Sequence, residues 1–328
     1  MSLARRRALR LLAVVGLLAT AACAPPLAAP WRDDRLRVVA TVAPLADLVR
    51  QVAGDRVRLV QLVPDGADSH TFEPRPSDAR VLQEADLIVL NGLHLEAPTQ
   101  RLADANRRHE AQVLLLGDST ISRDEWVFDF SFPESAGDPN PHLWLDPVYG
   151  GRYVELIRDK LAELDLANAD YYRANAAQLL ERLGRLDAAI SQAVQSVPEH
   201  RRKLLTYHDS WAYFARRYGM RVIGAIQPSD FSEPSPREVA ALVDQVRAED
   251  VPAIFGSEVF PSRVLEMIGR ETGARYVDTL RDDALPGEPD APNHTYLGMM
   301  LENVRTMFAA LGGRVDVFDG IDPSPIPR

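Results

Sequence analysis

The sequence predicts an α/β protein in two halves separated by one long helix. From Leu36 onward, short apolar and β-branched runs alternate with segments of helical period. The alternation breaks at residues 168–197, "NADYYRANAAQLLERLGRLDAAISQAVQSV", where leucine, alanine and isoleucine recur at three- and four-residue steps with no proline before Pro198. It then resumes and continues to the end of the chain. With 328 residues, 46% hydrophobic and 26% charged, there is material for one large domain or for two of about 150 residues.

In the first half, "LRVVATVAPL" reads as a strand and "PLADLVRQVAG" as a helix ended by glycine. "VRLVQLV" is the second strand. It runs into "VPDGADSHTFEPRPSD", whose glycine, proline and aspartate content suits neither a helix nor a strand interior, so His70 lies on a loop. "RPSDARVLQEA" is a capped helix, "DLIVLNG" a strand, "LADANRRHE" helical and "AQVLLLG" a fourth strand. Residues 118–141 have no clear period and read as a long surface loop. Order returns with "PHLWLDPVYGGRYVELIRDKLAEL", in which the Asp146-Pro147 turn precedes a helix.

At about 1.5 Å per residue the 168–197 helix spans about 45 Å, enough to connect two halves. Periodicity alone fits an ordinary surface helix equally well. Beyond Pro198 the strands are "RKLLTYH", "MRVIGAIQ", "VPAIFGSE" and "ARYVDTL". The helices are "WAYFARRYG", "SPREVAALVDQVRAED", "PSRVLEMIGRETG" and, after the loop "RDDALPGEPDAPNH", "TYLGMMLENVRTMFAAL". The halves span roughly 36–165 and 199–328 and share no close sequence repeat.

The N-terminus reads as an export signal over residues 1–22. Arg5, Arg6, Arg7 and Arg10 precede the apolar run "LLAVVGLLATAA", which is short for a membrane span of about 20 residues. Cys23 follows, then a loose linker over residues 23–35. Cys23 is the only cysteine, which excludes an intrachain disulfide. Its placement resembles a bacterial lipoprotein signal, although Thr20 stands where such signals usually carry leucine; plain secretion is the alternative. Losing residues 1–22 removes four positive and no negative charges, so the net charge moves from −10 to −14. An acidic exported chain without a basic patch is a poor match for nucleic acid and a better one for cations or neutral ligands.

Four residues recur in one kind of place. His70, His142 in "NPHLWLDP", His208 in "LLTYHDSWAYF" and Asp283 in "TLRDDALP" lie on loops that follow strands or lead into helices. Open α/β sheets bind ligands beyond the carboxyl ends of their strands, so two facing halves could bring the four into one cleft. Three imidazoles and a carboxylate suit a borderline divalent ion: zinc by default, with manganese or ferrous iron also open. The separations are wide and form no local metal motif. Glu73 and Asp78 fit loop orientation or capping. His94 ends a strand near the expected cleft, His294 precedes the last helix as a cap or rim residue, and His109 and His200 lie among charges. Trp144, Trp211, Tyr213 and Phe214 read as packing that fixes the geometry beside two of the histidines.

From about Leu36 to the last helix the chain resembles the metal-binding lipoproteins of bacterial ABC importers, the zinc and manganese solute-binding family. The resemblance rests on "GADSHTFEPRPSD", "ADLIVLNGLHLE", "NPHLWLDP", "YHDSWAYFARRYG" and "DDALP" followed by "HTYLGMMLEN" in that order. It implies two Rossmann-like lobes, at 36–167 and 199–328, joined by one rigid helix at 168–198, with the metal between them. It implies His70, His142, His208 and Asp283 as ligands, with Asp282 adjacent to the last. Histidine at position 208 points to zinc, whereas many manganese and iron carriers have glutamate there. The 118–141 loop carries acidic residues but none of the histidines that many zinc carriers have, which leaves manganese open.

The resemblance further implies a monomer, not an enzyme, tethered to the membrane through Cys23 and serving a permease and its cytoplasmic ATPase. The rival readings are a metal-dependent hydrolase and a surface adhesin of the same fold. The first lacks "HExxH" and any paired-carboxylate pattern.

Overall fold

The computed structural model describes residues 33–227, 234–257 and 263–326. The expected signal peptide, Cys23 and most of the linker lie outside them. From Arg35 onward the described residues form one compact unit.

The first half contains β1 (Leu36–Ala40), α1 (Ala43–Ala53), β2 (Val57–Gln61), α2 (Pro76–Glu84), β3 (Leu87–Leu90), α3 (Ala97–Asn106), β4 (Gln112–Leu115), α4 (Leu116–Thr120) and α5 (Pro147–Leu164). Its four strands are parallel in the order β2-β1-β3-β4. Parallel neighbours need helical crossovers, which is why apolar strands and amphipathic helices alternate along the sequence. The second half repeats the plan with β5 (Lys203–Thr206), α7 (Ala212–Tyr218), β6 (Arg221–Ala225), α8 (Pro236–Glu249), β7 (Ala253–Ser257), α9 (Arg263–Thr272), β8 (Arg275–Leu280) and α10 (Tyr296–Leu311). Its parallel order is β6-β5-β7-β8.

Between them runs α6 (Ala169–Ser196), 28 residues and so about 42 Å long. Leu179, Leu183, Leu186 and Ile190 bury one stripe of it. Asn175 Nδ2 donates to the Val52 carbonyl at 3.1 Å in the first half. Further along, Tyr218 of the second half donates to Asp187 Oδ1 at 2.7 Å. The helix is therefore fastened to both lobes, and one buried apolar cluster, including Val38, Leu48, Leu183, Phe214 and Met299, extends through both.

Two local differences from the sequence expectation have simple causes. The third helix starts at Ala97 rather than Leu102, because Pro98 in its first turn sets a helical φ where no N–H partner is needed. The fourth strand ends at Leu115 because the chain coils at once into α4. The 118–141 segment is irregular, as expected, apart from short 3-10 turns at Arg123–Glu125 and Glu134–Ala136.

In each sheet the strand order reverses beside the first strand, so the crevice at the carboxyl ends opens there. Thr41 follows β1, Asn91 follows β3 and His208 follows β5 at these edges. The loops that cross the two crevices carry the site.

Candidate metal centre

His70, His142 and His208 converge from three separate loops. Their Nε2 atoms stand 3.1 Å (His70–His142), 3.2 Å (His70–His208) and 2.9 Å (His142–His208) apart. Among the described residues they form the group of side chains spaced to hold a metal ion. An ion about 2.0–2.1 Å from each of three nitrogens would separate them by about 3.3–3.4 Å in tetrahedral geometry, a few tenths more than here.

Each lobe fixes its own imidazole. His142 donates from Nδ1 to Asn140 Oδ1 at 2.8 Å, and Asn140 Nδ2 donates to Asp129 Oδ2 at 2.9 Å and to the Asp209 carbonyl at 2.6 Å. His208 donates from Nδ1 to Gln227 Oε1 at 2.7 Å. A proton on Nδ1 leaves a lone pair on Nε2, so both rings present donors to the same point. The His70 backbone N–H donates to Asp68 Oδ1 at 2.9 Å, which shapes the loop that carries it. His142 is fully buried and His208 nearly so, while His70 keeps a partly exposed surface.

Burial pushes the pKa of His70 and His142 well below the usual imidazole value, and charge on His208 pushes the same way; His142 also feels His70. The His70 and His142 rings are therefore neutral near pH 7, the state in which imidazole binds a metal.

The two candidate carboxylates take different places. Asp282 Oδ2 lies 4.0 Å from His208 Nε2. Asp283 Oδ2 accepts the backbone N–H of Ser69, next to His70, at 3.2 Å. Both are buried, at 4% and 7% exposure, so two carboxyl groups stand beside the three rings in a region with little water.

The aromatic residues noted in the sequence frame this centre. Trp144 donates from Nε1 to the Asp282 carbonyl at 2.8 Å, which ties the His142 segment to the carboxylate loop. Tyr296 in turn donates to the Trp144 carbonyl at 2.5 Å. A side chain on Gly150 would run into the Tyr296 hydroxyl, so glycine permits that close approach. Asp146 caps α5 by accepting the Val148 N–H at 2.9 Å and pairs with Arg217 of the second lobe.

Several contributors were not singled out from the sequence. Asn140 stands two residues before His142, and an acceptor that close to a candidate ligand is a signal that could have been read. Gln227 lies nineteen residues from His208 and had none. Asn91 donates to the Pro141 carbonyl at 2.9 Å and accepts from the Tyr153 hydroxyl at 2.7 Å, which positions the His142 segment. Glu73, Asp78, His109, His200 and His294 fall outside the histidine cluster.

The sequence matches the model of the family described as zinc-uptake complex component A, periplasmic (ZnuA), over residues 38–310. The manganese-binding lipoprotein MntA of Halalkalibacterium halodurans is 29% identical over 298 residues, which is 91% of this chain and 96% of that protein. The iron-binding protein YfeA of Yersinia pestis is 28% identical over 278 residues, 85% of this chain and 87% of that protein. The periplasmic zinc-binding protein TroA of Treponema pallidum has a similar structure, with a TM-score of 0.76 at 28% identity, covering 85% of this chain and 99% of that one. Paired α/β lobes, a metal-spaced histidine cluster and a match over most of the length agree: the chain belongs to the ZnuA family, the extracytoplasmic, non-catalytic metal-binding components of ABC importers.

Proposed function

We propose that the protein captures manganese or ferrous iron outside the cytoplasm and delivers it to an ABC permease driven by a cytoplasmic ATPase. The observation that carries the capture step is the convergence of three Nε2 lone pairs, two of them fixed by Nδ1–H bonds to Asn140 and Gln227. The ligands are His70, His142 and His208 with a carboxylate from the Asp282–Asp283 pair. The 4.0 Å approach to His208 favours Asp282, while Asp283, the better sequence match, also braces the His70 loop through Ser69. The manganese and iron relatives support these metals as cargo.

Zinc is the second reading. The histidine at position 208 favours it, as do the family description and the zinc-binding structural relative. Nitrogen-rich sites also bind zinc more tightly than manganese or ferrous iron as a matter of chemistry, so affinity alone does not identify the cargo. The chain works as a monomer held at the membrane by lipid on Cys23. A rigid α6 restricts the lobes to small displacements, and docking on the permease loosens the ion by shifting one carboxylate or histidine loop.

The test is cellular metal content under metal limitation, with and without the gene. A fall in manganese or iron at constant zinc supports the main reading. A fall in zinc alone selects the second, and no change in any of the three overturns both.

A further inference from the structure

Helix α10 ends at Gly312, whose φ of 81° turns the chain back onto α6. The segment that follows runs antiparallel along that helix. Arg314 donates its N–H at 2.7 Å to Oγ of Ser196, the last residue of α6. About four turns earlier on the same helix, Arg182 donates to the Asp322 and Ser324 carbonyls at 3.3 and 2.5 Å and pairs with the Asp322 carboxylate at 3.3 Å. Ile326 then reaches the first lobe. Its N–H donates to Gln51 Oε1 of α1 at 2.7 Å, and its side chain enters the buried core. This whole segment lies beyond residue 310, where the match to the family model ends.

The sequence suits this path. In "DPSPIPR" the residues that make the last of these bonds, Asp322, Ser324 and Ile326, each precede a proline. A residue before proline is held to extended backbone, and the proline ring fixes its own φ. The undocked segment therefore has little conformational freedom to lose. Thr295, which caps α10, donates to the Pro323 carbonyl at 2.7 Å. The segment thus grips α6, α1 and α10 at once.

Its far end connects to the metal centre through buried groups. Gln51 Nε2 donates to both Asp47 carboxylate oxygens at 3.2 Å, and Asp47 Oδ2 accepts the Tyr296 N–H at 2.7 Å. Tyr296 holds the Trp144 carbonyl, and Trp144 holds the Asp282 carbonyl. Asp47, Tyr296 and Trp144 are at most 1% exposed, so none of them moves without displacing its neighbours. We propose that residues 314–326 form a positioning strap that slows release of the bound ion. The strap contributes no ligand. It fixes α1 and the first turn of α10 across α6, and through Tyr296 and Trp144 it fixes the Asp282 loop. This rests on the reading of the three-histidine centre as the cargo site.

The test loads the full chain with one zinc and follows its release into excess chromogenic chelator, with thermal melts of the metal-free protein alongside. Arg182→Gln removes the guanidinium that grips Asp322 and Ser324, Arg182→Lys keeps a charged donor, and Ile326→Ala withdraws the buried anchor. Ile254→Val, in the separate core cluster of the second lobe, lowers stability without touching the strap. Arg182→Gln and Ile326→Ala should each release zinc roughly threefold to tenfold faster. Their double variant should be no faster than the faster single one, because both open the same strap. Arg182→Lys should stay near the wild-type rate, and Ile254→Val should melt earlier with release unchanged. Release at the wild-type rate in both strap variants, whatever their melting temperatures, overturns the proposal and makes the segment a brace for the fold alone. Release quickened as much by Ile254→Val overturns it too, since stability would then set the rate. A wild type that holds no zinc overturns the reading of the centre, and this proposal with it.

Discussion

The Nδ1–H of His142 is held by Asn140 Oδ1 at 2.8 Å, and this one bond decides which ring nitrogen faces the other two histidines. Asn140→Ala is therefore expected to weaken metal binding by roughly 10–100-fold while leaving the fold intact, because it releases the tautomer and the ring angle together. Isothermal titration of the stripped protein measures it. An unchanged dissociation constant would remove Asn140 from the account.

Protons compete for the same lone pairs. His70 and His142 have folded-state pKa values depressed by burial and by neighbouring imidazole charge. The unfolded chain therefore takes up protons first as the pH falls below about 6.5. Their contribution to the stability of the metal-free protein is present above that pH and is lost as pH falls toward the depressed values. Metal affinity falls in the same direction, since each ligand must be deprotonated. Thermal melts and metal titrations between about pH 7.5 and about pH 5.5 should both show the decline. A flat profile for either would contradict the burial argument.

The two aspartates at the end of β8 should separate in function. Asp282→Asn is expected to cut metal affinity by about tenfold or more, since it removes a carboxylate 4.0 Å from His208 Nε2. Asp283→Asn loses the charged acceptor for the Ser69 N–H and should act mainly on the melting temperature of the metal-free protein. The reverse pattern would make Asp283 the ligand and Asp282 the brace.

A second carboxyl pair, half-buried Asp129 and buried Asp209, joins the lobes behind Asn140. Asp129 hydrogen-bonds to Asp209, and burial, then the Asp209 charge, raise its pKa to about 9. Burial raises Asp209 as well. One proton is therefore retained by the pair in the folded state and lost from the unfolded chain near pH 4. For a raised carboxyl pKa the stabilising contribution is present at low pH and is lost as pH rises through about 9. Asp129→Asn keeps a donor at this place without needing the proton. The variant's melting temperature should gain on the wild type between about pH 5 and about pH 8. A difference independent of pH would mean that the pair shares no proton.

Much of this was legible in the residues. The strands could be read because β-branched, apolar runs such as "LRVVA" are buried on both faces of a parallel sheet. The helices could be read where, as in α6, apolar residues recur at helical spacing and bury one stripe. His70, His142 and His208 could be picked out because each lies in a loop at a strand or helix end. The tautomer holders were harder: Gln227 reaches His208 across a loop, and no periodicity marks such a contact. Asp282 and Asp283 are adjacent in a loop, where spacing says nothing about direction. The 118–141 segment showed no period because side chains from the other lobe order it. Ser131 donates its N–H to Asp209 Oδ2 at 2.9 Å and its hydroxyl to the Gln227 carbonyl at 2.8 Å. Val127 N–H donates to the Tyr213 hydroxyl oxygen at 3.3 Å.

Zinc is expected to displace manganese from the isolated protein whichever ion the importer carries, because three imidazoles place the site where zinc binds more strongly. Direct competition followed by metal analysis checks this. Retention of manganese against equimolar zinc would show that the loops impose a geometry zinc does not accept.

The most direct test of the three-histidine centre is native mass spectrometry of the stripped protein with one equivalent of metal. The wild type is expected to hold one ion, and His142→Ala and His208→Ala, each confirmed as folded by circular dichroism, are expected to hold none under the same conditions. A folded variant that keeps its ion would place the metal elsewhere and contradict the site.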